Sequence, residues 1–207
     1  MAVQPIPLPT APSEAVIQRA ASRLRESGIE VFVVDTGDEG RDLVLERIPE
    51  GSEVHTGKSA TLEEIGVFTA LHEPGRYDAI RPKLYSMDRA TQAREMRKMA
   101  AVPDTVVGSA NALTEDGALL AASATGNQLA AYAGGAGRVI LVIGSQKIVP
   151  DLDAGFRRIR EVVYPYEDAR VRAQLGVGTK LAKVLVTFGD WIEGRTTVII
   201  VREPVGV

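Results

Sequence analysis

The residues best suited to chemistry cluster in three stretches at the ends of candidate strands. The first is Gly57-Lys58-Ser59-Ala60-Thr61-Leu62-Glu63-Glu64. Free backbone N–H groups at a helix start, with a lysine and hydroxyls beside them, can hold a phosphate or a carboxylate. Thr61 and Glu64 have the spacing of a capping box, so the same segment also reads as a well-capped surface helix. The second stretch runs from Val106 to Ala130. It carries Asn111, the adjacent carboxylates Glu115 and Asp116, and Thr125-Gly126-Asn127. A carboxylate at a strand–helix junction can act as a general base or orient hydroxyls. Asp116-Gly117 equally suits a plain turn. Asn127 is a good helix cap, and Gly126 lets backbone approach a ligand closely. The third stretch, Gly144-Ser145-Gln146-Lys147, places Lys147 just beyond a strand end. Catalysis would fall to Glu115, Asp116 or Glu64, and ligand binding to Gly57, Lys58, Ser59, Thr61, Asn111, Thr125, Gly126, Asn127 and Lys147.

The elements that must position these residues alternate. Ser13 can cap a helix with Val16, Ile17, Ala20, Ala21 and Leu24 at helical spacing, and Gly28 ends it. Strands are expected at Glu30 to Val34 and Ser52 to Thr56, with a helix between them that Asp38 starts and Pro49 stops. A longer helix is expected from Met87 to Ala100, capped by Asp88. Its apolar stripe is Ala90, Ala93, Met96 and Met99, and its arginines, including Arg94 and Arg97, lie on solvated faces. Arg138 to Ile143, RVILVI, suits a strand buried on both faces. Pro150-Asp151 opens a helix. Val184 to Phe188 and Thr196 to Val201 read as strands, most simply joined as a C-terminal β-hairpin.

This rhythm predicts an α/β fold: a three-layer, open, mostly parallel sheet with helices on both faces. Ligands then bind at the carboxyl ends of the strands. Residues 1–12, rich in proline, are expected as an extended arm, and residues 13–207 as a single domain.

Composition narrows the function. The net charge of −3 gives no reason to expect nucleic acid or an anionic membrane as a partner. The absence of cysteine removes thiolate catalysis and cysteine-ligated metal sites, and fits a cytoplasmic protein. The two histidines, His55 and His72, match no metal-binding spacing, so neither a metal nor a cofactor is expected. His55 ends a strand near the expected pocket, where a structural role is favoured over a catalytic one. The N-terminus has no signal-peptide pattern, and no apolar run approaches the ~18 residues of a membrane helix.

Three segments, GKSATLEEIG (57–66), SANALTEDGALLAASATGN (109–127) and GSQKIVPDL (144–152), resemble in order and spacing the LUD domain, named for lactate utilisation. The resemblance spans about residues 13 to 163. It implies a fold akin to ribose-5-phosphate isomerase, glucosamine-6-phosphate deaminase and coenzyme A transferases. It also implies a role in using lactate or another small organic acid, with a small anionic metabolite as ligand and iron–sulfur oxidoreductase subunits as partners. The central stretch further resembles the Gly-Ala-Asp pattern of methylthioribose-1-phosphate isomerase. Here the matching residue is Asn111, an amide that cannot take a proton from a carbon acid. Many short LUD proteins carry a C-terminal cysteine cluster that this chain lacks between Gly176 and Gly194. The chain therefore reads as a cluster-free component of such a system. Two alternatives stay open: an autonomous isomerase or transferase acting on a sugar phosphate or coenzyme A ester, and a non-catalytic ligand sensor or scaffold. The apolar tail strands and Trp191 are candidates to cover a second copy in a homodimer, or equally this chain's own sheet edge.

Overall fold

The computed structural model describes residues 11–73 and 75–207. Most of the proline-rich arm expected at the N-terminus, residues 1–10, lies outside the described residues, as does Pro74. The elements run α1 (Glu14–Glu26), β1 (Glu30–Val34), α2 (Gly37–Glu46), β2 (Glu53–Thr56), α3 (Ala60–Glu64), α4 (Val67–Leu71), β3 (Asp78–Ala79), α5 (Ile80–Ser86) and α6 (Ala93–Ala101). They continue with β4 (Thr105–Gly108), β5 (Ala112–Thr114), β6 (Leu119–Ser123), α7 (Asn127–Ala130), β7 (Arg138–Gly144), β8 (Ile148–Val149), α8 (Leu152–Arg158), α9 (Tyr164–Leu175), β9 (Lys183–Thr187) and β10 (Thr196–Val201).

Six strands form a wholly parallel sheet in the order β1-β10-β7-β4-β2-β3. Its central strands β7 and β10 carry continuous apolar runs, VILVI and VIIV, because both faces are covered. Val139, Leu141 and Ile143 of β7 join Val198 and Ile200 of β10 in a core with Ile17, Ala20, Ala21 and Leu24 of α1. The alternate residues Ile140, Val142, Ile199 and Val201 face α2, α3 and α4 through Val44, Leu62 and Val67. This is the expected α/β architecture, with helices on both faces of a parallel sheet.

A second sheet, in the order β8-β5-β6-β9, lies on the α1 side, where Leu113, Leu119 and Ala121 enter the same core. Its far face packs through Ala112 and Leu120 against Ile159 and, from α8, Leu152 and Phe156. Within the central stretch, Ala112–Thr114 is a strand antiparallel to β6. The expected C-terminal hairpin does not form. β9 pairs antiparallel with β6, whereas β10 inserts between β1 and β7, so the two strands belong to different sheets. The continuous apolar run VIIV of β10 suits a strand buried on both faces, which the middle of the parallel sheet provides and a terminal hairpin does not.

Local chemistry sets several element starts differently from the sequence expectation. Thr36, not Asp38, caps α2 and forms a capping box with Glu39. Ser59, not Thr61, caps α3 by accepting from the Leu62 N–H. The expected helix over 87–100 begins only at Ala93. Asp88 accepts hydrogen bonds from the Ala90 N–H at 2.9 Å and the Thr91 hydroxyl at 2.8 Å, which holds the chain in a turn. Gly126, at φ +84°, takes the N-cap place expected for Asn127.

Past β10, the chain doubles back over the end of β7. Ser145 Oγ donates to the Arg202 carbonyl at 2.6 Å, and Gln146 Nε2 donates to the carbonyls of Val205 and Gly206 at 2.9 and 3.0 Å. These bonds fix the turn that carries Lys147. Arg195 is a second tie. It donates to the carbonyls of Ala131, Tyr132 and Ala136 around the π-helical turn after α7, and pairs with Asp190 at 2.8 Å.

Candidate functional site

Three adjacent strands, β2, β4 and β7, deliver polar residues from their carboxyl ends into one cavity of about 630 Å³. Gly57 to Thr61 follow β2, Ser109 follows β4, and Lys147 follows β7; all line the cavity. One wall is the inner face of α5 and α6, with Arg81 and Tyr85, then Met96 and Arg97. The opposite wall is built from Tyr164, Tyr166 and Arg170 around the start of α9, and from Thr179 to Leu181 beyond it.

On the floor, Lys147 is 1% exposed. Its Nζ donates to Thr61 Oγ1 at 2.6 Å and to Ser109 Oγ at 3.2 Å, and the two hydroxyls are themselves 3.3 Å apart. No carboxylate hydrogen-bonds this amine among the described residues. Burial, reinforced by the nearby Arg158 guanidinium and opposed by Glu64, lowers the Lys147 amine to about 7. A lysine so placed exchanges its proton near neutrality, where an exposed one stays charged.

His55 also lines the cavity at 3% exposure. Neither ring nitrogen has a hydrogen-bond partner among the described residues, and the same is true of the neighbouring Thr56 hydroxyl. Burial and the Arg81 charge lower the His55 imidazole to about 4, so the ring is neutral at physiological pH. Tyr132 enters from the π-helical turn, its ring lying over Gly108, where no Cβ fits beneath the phenol.

The cavity is rich in cations. Lys58 pairs with Glu63 at 2.7 Å and Arg170 with Glu167 at 2.5 Å. Arg81, Arg89, Arg97 and Lys180 also line it, and none is paired with a carboxylate among the described residues. Phosphate or carboxylate groups fit this charge pattern. Among the described residues, no three histidine, aspartate or glutamate side chains converge as a metal site.

The candidates from sequence analysis divide by location. Gly57, Lys58, Ser59, Thr61, Asn111, Thr125, Asn127 and Lys147 all line the cavity. Asn111 Oδ1 accepts from the Ala122 N–H at 2.6 Å, which ties β5 to β6 and leaves its amide NH2 for a ligand. Gly126 sits behind the lining, its N–H donating to Ser123 Oγ at 2.9 Å. Glu64 is also behind it and accepts from the Gly206 N–H at 2.7 Å. Glu115 and Asp116 lie away from the cavity. Thr114 pairs with β8, turning the chain toward α1, where Glu115 meets Arg19 at 2.5 Å; Asp116 accepts from the Thr114 hydroxyl. Helix α3 spans only five residues, so side chains rather than its N-terminus supply most of the positive charge.

Arg97 lines the cavity, although the charge run around it suggested a solvated face. Its signal was present: Ala93, Met96, Arg97 and Ala100 share one helical face, so a cation sits on the apolar stripe. Arg81, Ser109 and Tyr132 carried no comparable mark.

The fold is an α/β domain whose parallel sheet opens, at the carboxyl ends of its central strands, onto a cation-lined cavity, the place where open α/β sheets take their ligands. The LUD domain family model matches residues 17–179, most of the chain, and the protein belongs to that family. A crystal structure of a DUF162 family protein from Deinococcus radiodurans is similar at TM-score 0.53 and 13% identity, covering 90% of this chain and 96% of that one. Two subunits from Chaetomium thermophilum are more distant. eIF2B beta has TM-score 0.37 and 18% identity over 56% of this chain and 43% of its own. eIF2B delta has TM-score 0.39 and 16% identity over 91% and 60%. No curated protein matches the sequence. Among the described residues, no helix is long and apolar enough to cross a membrane.

Proposed function

We propose that this LUD-domain protein binds an anionic small molecule at the carboxyl ends of β2, β4 and β7, as a component of the use of lactate or another small organic acid. The observation that carries the reading is the group of cations without carboxylate partners, Arg81, Arg89, Arg97 and Lys180, around a cavity whose floor holds Lys147. In this reading the chain supplies the binding site, and an iron–sulfur oxidoreductase subunit, which membership of the family suggests, supplies electron transfer. The cytoplasm is its expected place.

The cavity size favours a second reading. About 630 Å³ is room for roughly twenty water-sized groups, far more than a three-carbon acid fills. A sugar phosphate or a coenzyme A ester would use both the arginine wall and the tyrosines opposite, and the chain would then be an autonomous isomerase or transferase.

Thermal-shift titration of the purified chain against hydroxy acids, 2-oxo acids, sugar phosphates and coenzyme A esters tests both readings. A ligand at a hundredfold excess over its Kd raises stability by about 2.7 kcal/mol. The expected result is a shift with one anionic class that weakens with added salt and in an R89Q/R97Q double variant. A shift indifferent to salt and to both substitutions, or none with any class, would overturn the anion-binding reading. A shift with phosphorylated compounds alone would select the second reading over the first.

A further inference from the structure

The floor of the cavity contains a group that anion binding alone leaves unexplained. Lys147 is shielded from solvent, has hydroxyls rather than a carboxylate as its partners, and sits on a turn held by three hydrogen bonds to the segment after β10. A simple anion clamp is better served by arginine, which keeps its charge when buried and offers a planar fork of donors. A lysine is the better choice where the amine must release a proton and react. The two neighbouring hydroxyls suit that chemistry. Thr61 Oγ1 and Ser109 Oγ are both within hydrogen-bond reach of Nζ and of each other, so they can pass a proton between the amine and an oxygen on a bound ligand.

We propose that Lys147 is a nucleophile that forms an imine with the carbonyl carbon of a ligand carrying an anionic group, a 2-oxo acid or a phosphorylated aldehyde. This rests on the anion-binding reading for placement of the ligand. The nitrogen lone pair forms the C–N bond, and the carbonyl π pair moves to oxygen. One amine proton passes to that oxygen through Thr61 or Ser109. The C–O bond then breaks, the oxygen leaves as water with a second proton from nitrogen, and the imine remains. No electrons are gained or lost overall. The lowered proton affinity of the amine supplies its reactive form at neutral pH without a separate base. The unpartnered nitrogens of His55, on strand β2 of the same cavity, are available to the ligand's polar groups.

The test is reductive trapping of the full chain with cyanoborohydride at pH 7. Glyoxylate, pyruvate and ribose 5-phosphate are the probes, followed by intact mass and peptide mapping, with thermal shift on the same compounds. The expected result is one adduct per chain, on Lys147, with a mass gain equal to the probe less one oxygen atom. The adduct should be lost in K147M. Trapping should slow about tenfold or more in T61V and S109A variants, which keep the amine, as loss of a proton-transfer group predicts. Binding without an adduct on Lys147 overturns the imine and leaves the anion-binding reading standing. Labelling spread over exposed lysines such as Lys83 and Lys98 at equal or greater yield also overturns it. Neither binding nor adduct removes both.

Discussion

Replacing Lys147 with methionine gives a prediction whose sign changes with pH. Wild-type Lys147 titrates at about 7 when folded, against 10.5 when exposed. A folded-state value below the unfolded one means that the unfolded chain holds the proton more tightly. The protonated amine therefore destabilises the fold fully below pH 7, and the cost fades as pH rises toward 10.5. At 1.36 kcal/mol per unit, the 3.5-unit gap is worth up to ~5 kcal/mol. Against this, K147M removes the amine's hydrogen bonds to Thr61 and Ser109, at about 1 kcal/mol each. Methionine fills nearly the same volume without a charge. The variant should be more stable than wild type by ~3 kcal/mol at pH 6 to 7. Above pH 7 the advantage should fall by about 1.4 kcal/mol per pH unit and reverse near pH 9. Urea unfolding of both proteins at intervals from pH 6 to pH 10 measures the difference directly, and other titrating groups cancel in it. A variant less stable than wild type by the same amount at every pH would refute the reasoning, because the amine would then be charged in the fold throughout.

Other consequences follow from the same geometry. His55, lowered to about 4 by burial and Arg81, should make the fold lose up to ~3 kcal/mol as pH falls from about 6.5 to 4, with no further loss from this group below that. His55→Gln should remove that part of the acid slope in urea melts, and an unchanged slope would refute the assignment. Arg195→Met should cost ~3–5 kcal/mol in the same assay, because it takes the guanidinium from half-buried Asp190 and its hydrogen bonds from three carbonyls; a loss under about 1 kcal/mol would count against the tie. Gly108→Ala should push Tyr132 out of place, costing ~1–3 kcal/mol and weakening ligand binding in thermal shift. Wild-type behaviour in that variant would mean the ring has room to move.

What the sequence reveals depends on how local the determining interaction is. RVILVI announces a buried strand because both faces of β7 are apolar, and Val16 to Leu24 announces α1 by its period. Where the chain goes after a strand end is also local, which is why Gly57 to Thr61, Asn111 and Lys147 could be singled out together. Pairing is not local. Nothing in TTVIIV says that β10 lies between β1 and β7, and nothing in ALT says that β5 leaves the parallel sheet. That departure carries Glu115 toward Arg19 and away from the cavity. Asp88 illustrates a competition between local choices, since its carboxylate can cap a helix or close a turn. Here the turn prevails, and α6 starts five residues later. The burial of Lys147 depends on the segment after β10, about sixty residues away, so a lysine in a polar turn gave no sign of it.

The place of β10 also bears on how the protein is made. Among the described strands it comes last in the chain, yet it sits inside the sheet, holding β1 on one side and β7 on the other. Until it arrives, β1 has no neighbour in the sheet, and β7 keeps an open apolar edge of valines, isoleucines and a leucine. A nascent chain cannot assemble the native sheet in order of synthesis. It must hold the earlier elements apart, or let a late strand insert between them. Pairings between distant parts of a chain form slowly, and unpaired apolar edges attract one another meanwhile. The parallel sheet can therefore close only once β10 has been made, and chaperone holding of the unclosed chain should raise the yield more than slower translation does.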